Sequence, residues 1–121
     1  MAHILVIDDD NQFRNLICTL LKRVGYEVMD ASDGLVGLKV MRQKNADLII
    51  TDIFMPEMRG TELIMDITDE FPDTRIIAIS GGGNVDGVDF LTLAQNLGAY
   101  RTFQKPFIKQ EFLKVVASLL A

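Results

Sequence analysis

The sequence is poor in the residues that build scaffolds and thiol or imidazole sites: one cysteine, one histidine, three prolines and no tryptophan in 121 residues. A single cysteine, Cys18, has no partner for an internal disulfide. That excludes a disulfide scaffold and a cysteine zinc site, and it fits a soluble protein of the cytoplasm. His3 would have to serve any Ser-His-Asp or Cys-His catalytic set, and it stands at the very start of the first strand. No apolar run approaches the ~18–20 residues of a membrane span. The opening Met1–Ile7 segment turns acidic at Asp8, too soon for a signal peptide. Twelve Lys and Arg against 17 Asp and Glu leave a net charge of −5, with no basic cluster. Direct nucleic-acid binding and attachment to an anionic membrane are therefore not expected. What is present is apolar: 49% of the chain, enough for one real core and, at this length, one domain over 1–121. The six methionines read as core filling.

Two periods alternate along the chain. Residues 3–7 (HILVI), 26–31 (YEVMDA), 47–51 (DLIIT), 75–80 (RIIAIS) and 100–104 (YRTFQ) read as strands. Between them lie helix-period segments. Residues 11–24 carry Phe13, Leu16, Ile17, Leu20, Leu21 and Val24 and stop at Gly25. Ser32 or Asp33 caps a second helix that runs to about Lys44, with Leu35, Leu38, Val40 and Met41 apolar. Residues 60–71 form a third, ended by Pro72. A fourth is expected from Asp86 to Asn96, ended by Gly98, although Gly87 sits inside it. The fifth runs from about 109 to 120, with Phe112, Val115, Val116, Leu119 and Leu120 inward. Continuous apolar strands indicate a parallel sheet buried on both faces, and right-handed crossovers place helices on both sides. The expected fold is α/β, a doubly wound (βα)5 sandwich whose ligand crevice lies at the carboxyl ends of the strands.

The informative residues are at those strand ends. Asp8-Asp9-Asp10 follow the first strand, Asp52 the third, Ser80 closes the fourth, and Lys105-Pro106 follow the fifth. Taken singly, each has an ordinary reading: Asp10 as a helix cap, Asp52 as a turn residue, Lys105 as a solvated charge. Their coincidence at one end of the sheet points to a shared site. Three close carboxylates repel, so at least one pKa should rise unless a cation intervenes. A hard divalent ion with oxygen ligands resolves the repulsion, and Mg²⁺ is the natural choice. An ammonium and a hydroxyl beside these acids suggest phosphoryl transfer, in which Asp serves as a covalent acceptor. Gly81-Gly82-Gly83 lacks the spacing of a phosphate-cradling loop and reads as a mobile loop.

At VIDDD (6–10), TDIFMPEMRG (51–60), IIAIS (76–80) and QKPF (104–107) the sequence resembles the receiver domain of two-component response regulators, of the single-domain chemotaxis type. The resemblance covers essentially the whole chain. It implies a flavodoxin-like sheet of order 2-1-3-4-5, with Asp52 as phosphoryl acceptor. It implies Mg²⁺ held by Asp8, Asp9, Asp52 and the Phe54 backbone carbonyl, with Ser80 and Lys105 on the phosphoryl group. Lys105-Pro106 would be a cis peptide. The implied donor is a phosphohistidine on a sensor histidine kinase or phosphotransfer protein. The implied output is a face of the fourth helix, fifth strand and fifth helix, offered to a downstream protein or to a second copy. Such a domain is not an enzyme in the usual sense: it catalyses only its own phosphorylation and slow dephosphorylation.

Three positions depart from the family's pattern. Thr102 replaces the aromatic three residues before the lysine, and Tyr100, two residues earlier, sits too early along the strand to substitute. Gly81 replaces the usual alanine after the Ser/Thr, so the loop should be more open. Phe54 and Gly82 stand where side chains often place the hydrolytic water, and neither can hydrogen-bond it, which predicts slow self-dephosphorylation. The alternative is a receiver-fold binding module that works without phosphorylation; its mark would be a missing site residue, and none is missing. An aspartyl-phosphate hydrolase would need a carboxylate where Phe54 stands, and a flavin phosphate would be repelled by Asp8-Asp9-Asp10.

Overall fold

The computed structural model describes residues 2–53, 60–81, 84–85 and 88–121. The main sheet is built from β1 (His3–Ile7), β2 (Glu27–Ala31), β3 (Leu48–Asp52), β4 (Arg75–Ser80) and β7 (Arg101–Gln104). Its order is β2-β1-β3-β4-β7 and every pairing is parallel, which is the expected 2-1-3-4-5 arrangement of five strands. The helices are α1 (Asn11–Val24), α2 (Gly34–Gln43), α3 (Gly60–Glu70), α4 (Phe90–Leu97) and α5 (Lys109–Leu120).

Two apolar layers sandwich the sheet, because alternate residues of each buried strand point to opposite faces. On one face Leu5, Ile7, Ile49 and Ala78 meet Leu38 and Met41 of α2, Leu63, Ile64 and Ile67 of α3, and Ala94 of α4. On the other, Ile4, Val6, Ile50, Ile77 and Ile79 meet Ile17, Cys18 and Leu21 of α1 and Phe112 and Val116 of α5. Full burial of each such Leu, Ile or Phe contributes about 1.5–3 kcal/mol. The single cysteine is one of these packed residues.

The caps follow the sequence closely. Asp10 accepts hydrogen bonds from the Gln12 and Phe13 amides and starts α1. Gly25, at φ 110°, ends it in the left-handed conformation that glycine adopts without strain. Asp33 rather than Ser32 caps α2, accepting from the Val36 amide.

One expectation is corrected. The helix expected from Asp86 begins at Phe90, and a short antiparallel pair, β5 (Asn84–Val85) with β6 (Val88–Asp89), precedes it. The intervening Asp86-Gly87 is a dipeptide suited to a two-residue hairpin turn, a signal that outweighs the weak helical period there. Within α1, Leu16 and Val24 lie outside the core at 63% and 54% exposure. Leu35 of α2 is exposed as well. The apolar stripe of each helix is narrower than the residue types suggest, since the sheet covers only one side. Among the described residues no helix is long and apolar enough to cross a membrane.

Candidate functional site

The carboxyl ends of β1, β3, β4 and β7 converge on one crevice. Asp8 follows β1 directly, and its amide donates to the Ala31 carbonyl at the end of β2. Asp52 is the last residue of β3, level with Ile79 of β4. Ser80 closes β4 opposite Gln104, and the Lys105 amide donates to the Ser80 carbonyl at 2.7 Å. These backbone links fix the acids, the serine and the lysine around one opening before any side chain is placed.

The side chains complete the arrangement. Carboxylate oxygens of Asp8, Asp9 and Asp52 all lie within 4.8 Å of one another. Asp8 and Asp52 are buried, whereas Asp9 is exposed. Lys105 Nζ donates to Asp52 Oδ2 at 3.1 Å and to Asp8 Oδ2 at 3.2 Å. The other Asp8 oxygen, Oδ1, accepts from the Asp10 amide at 2.9 Å. The Lys105–Pro106 peptide is cis, as the resemblance implies.

The electrostatics follow from this geometry. Asp8 is held above its ordinary carboxylate value, first by burial and then by the neighbouring Asp52 charge, against the pull of the Asp10 amide and Lys105. The expected rise is therefore present, though desolvation outweighs mutual repulsion as its cause. For Lys105, burial disfavours the ammonium, but Asp52 and Asp8 outweigh it and hold the group above its usual range. Three carboxylates face one ammonium, so negative charge remains in excess. A hard cation with oxygen ligands fits that excess, and the donors match Mg²⁺ better than softer ions.

Four expected residues, Asp8, Asp9, Asp52 and Lys105, meet through their side chains, and Ser80 adjoins them through the backbone. Phe54 and Gly82 lie outside the described residues. Thr102 is half-buried opposite Ala78 of β4, and Tyr100 precedes β7 with 57% of its surface exposed. The Arg75 guanidinium lies 5.3 Å from the Tyr100 ring, so this aromatic is engaged at the far end of β7 from the site.

Two neighbours were not anticipated from the sequence. Arg14 Nη1 donates to the Asp8 carbonyl at 2.7 Å while its Nε donates to Asp30 Oδ2 at 3.0 Å, tying α1 to the ends of β1 and β2. Its position one turn after the Asp10 cap was the available signal. Phe13 places its ring 3.9 Å from Lys105 Nζ. Its apolar type and helical spacing concealed this, because both also suit a plain core residue.

A parallel five-stranded sheet in this order, with acids at the carboxyl ends of the first and third strands and a lysine after the fifth, defines a receiver module. Residues 4–117 match the model of the response regulator receiver domain, and the chain belongs to that family. It is 34% identical over 119 residues to the DNA-binding transcriptional regulator NtrC of Azospirillum brasilense, a match covering 98% of this chain and 24% of that protein. The response regulator receiver protein CpdR of Brucella abortus is 36% identical over 81 residues, 67% of this chain and 68% of that protein. The chain spans only about a quarter of the first curated relatives it matches, such as GlrR of Escherichia coli at 26%. Among solved structures, a receiver domain protein from Clostridium thermocellum is 30% identical with a TM-score of 0.88, covering 98% of this chain and 94% of that one. The chemotaxis protein CheY4 of Vibrio cholerae gives 0.86 at 27% identity, covering 98% of both chains.

Proposed function

We propose that this receiver is a phosphoacceptor switch in which Asp52 takes a phosphoryl group from a phosphohistidine on a sensor histidine kinase or phosphotransfer protein. The observation that carries this reading is the buried Asp52 carboxylate held by the Lys105 ammonium within a three-acid cluster. An Asp52 oxygen attacks phosphorus in line. The O–P bond forms as the N–P bond breaks, and the electron pair of that bond returns to the imidazole nitrogen of the donor. Lys105 moves its donor from the Asp52 carboxylate to a phosphoryl oxygen, and the Ser80 hydroxyl donates to another. Asp8 and Asp9, with Asp52 and the Phe54 carbonyl, would hold Mg²⁺, which supplies charge neutralisation for the phosphoryl oxygens.

The chain acts as catalyst only of its own phosphorylation and slow hydrolysis. The acylphosphate gives Lys105 and Ser80 new acceptors, and that difference biases the packing of α4, β7 and α5 toward a second arrangement read by a downstream protein or a second copy. The β4–α4 connection that starts at Gly81, rather than an aromatic where Thr102 stands, carries the change.

Intact mass after incubation with Mg²⁺ and acetyl phosphate tests the reading. A gain of one phosphoryl group is expected, absent in Asp52→Asn and absent with EDTA. A wild type that gains nothing and also fails to bind beryllofluoride with Mg²⁺ would overturn it in favour of a phosphorylation-independent binding module.

A further inference from the structure

We propose that Phe13 is a positioning residue for Lys105, its ring face holding the ammonium where it can pass from Asp52 to an incoming phosphoryl oxygen; this rests on the phosphoacceptor reading. An ammonium has three N–H groups. Asp52 and Asp8 take two of its directions, at 3.1 and 3.2 Å. The Phe13 ring, with its centroid 3.9 Å from Nζ, occupies a third side. The two residues come from the first turn of α1 and from the segment between β7 and α5, so the contact joins separate elements.

The ring is itself anchored. Phe107 meets it edge-on, with centroids 6.0 Å apart and planes at 89°. Phe107 packs in turn on Phe112 at 5.0 Å, and Phe112 is fully buried. A half-buried ring fixed in this way restricts a side chain that otherwise has four rotatable bonds. It also does so without charge. A carboxylate at the same place would draw the ammonium away from Asp52 and add to the negative excess. A π face attracts the cation but is weakly directional, so the ammonium can slide across it as its acceptors change.

The test compares wild type with Phe13→Leu, which keeps apolar bulk without the ring, and Phe13→Tyr, which keeps the ring face. Carbon–proton NMR reads the Lys105 ε-methylene, which the ring current should shift upfield in wild type and Phe13→Tyr but not in Phe13→Leu. In parallel, the rate of phosphorylation by acetyl phosphate is measured at saturating Mg²⁺, with Mg²⁺ affinity measured separately. Phe13→Leu should slow phosphorylation about five- to tenfold, the scale of a partly desolvated cation–π contact. Phe13→Tyr should recover most of that loss, and Mg²⁺ affinity should change less than about twofold. An unshifted Lys105 methylene in wild type would overturn the proposal. So would an unchanged rate in Phe13→Leu, or a rate loss matched by lost Mg²⁺ affinity, which indicates general collapse of the site. If Phe13→Leu does not fold, Phe13→Met takes its place with the same expectations. A wild type that binds Mg²⁺ yet takes no phosphoryl group defeats the phosphoacceptor reading instead, and the NMR comparison still decides whether Phe13 holds Lys105.

Discussion

Lys105 Nζ and Asp52 Oδ2 stand 3.1 Å apart, so the cation proposed for the phosphoryl group is already paired with the proposed acceptor. Asp8 shares the same ammonium at 3.2 Å. Lys105 would therefore compete with any metal for these two carboxylates as well as serve the proposed chemistry. Lys105→Ala should separate the two roles. Mg²⁺ should bind at least as tightly as in wild type, because a competing positive charge is gone. Phosphorylation by acetyl phosphate should fall about 100-fold, the scale of one preorganised donor to developing charge. Calorimetric titration and a mass-based time course check the two halves.

Metal binding should also appear as stability. Asp8, Asp9 and Asp52 present oxygens within 4.8 Å of one another, with one ammonium against three carboxylates. A ligand that binds only the folded state at about 100 times its Kd stabilises it by ~2.7 kcal/mol. For a domain of this size that corresponds to a Tm increase of roughly 10 °C. Asp9→Asn should lose most of the increase while changing the metal-free Tm little, since Asp9 is exposed. Thermal denaturation in Mg²⁺ and in EDTA measures both.

The parts of this molecule that were legible in its sequence are those set by local rules. Strand β1 and helix α1 follow from an apolar run, the Asp10 cap and Gly25. The convergence of Asp8, Asp52 and Lys105 follows from strand order, once the alternation of strand and helix fixes the sheet. The parts that escaped depend on tertiary contact or on competing local signals. Phe13 looks like any helix-face aromatic until the other end of the chain brings Lys105 over it. Arg14 carries no pattern that names Asp30 as its partner. At 84–89 two weak signals competed, and the Asp-Gly pair between valines prevailed over a helical period.

Cys18 gives a pH prediction outside the site. Burial raises the thiol above its ordinary value, and the Asp30 carboxylate adds to this against Lys22 and Arg14. The folded state thus favours the neutral thiol more than the unfolded state does. The resulting stability is full below the unfolded thiol pKa and is lost as pH rises through the folded one. Urea midpoints of wild type and Cys18→Ala should therefore converge on going from neutral pH to about pH 10, relative to the unperturbed thiol near ~8.5. Native Cys18 should also react far more slowly with a disulfide reagent than after unfolding, since the thiolate is the nucleophile and only 7% of the residue is exposed.

Phe54 sets an expectation for the lifetime of the signal. An acylphosphate on Asp52 decays when water attacks phosphorus in line, and a polar side chain two residues on can orient that water. Phe54 has no hydrogen-bonding group, and Gly82 has no side chain at all. Both lie outside the described residues, but by their chemistry alone hydrolysis would proceed through water that no side chain at these positions aligns. The phosphorylated wild type should persist long compared with rapidly resetting receivers. Phe54→Asn should shorten its lifetime about tenfold, equivalent to ~1.4 kcal/mol of barrier. Initial phosphorylation by acetyl phosphate should change much less, because that step uses the Asp52 oxygen and Lys105 rather than water. Decay of the phosphorylated mass after rapid removal of the donor measures the difference. An unchanged lifetime in Phe54→Asn would mean that something other than water alignment limits the reset.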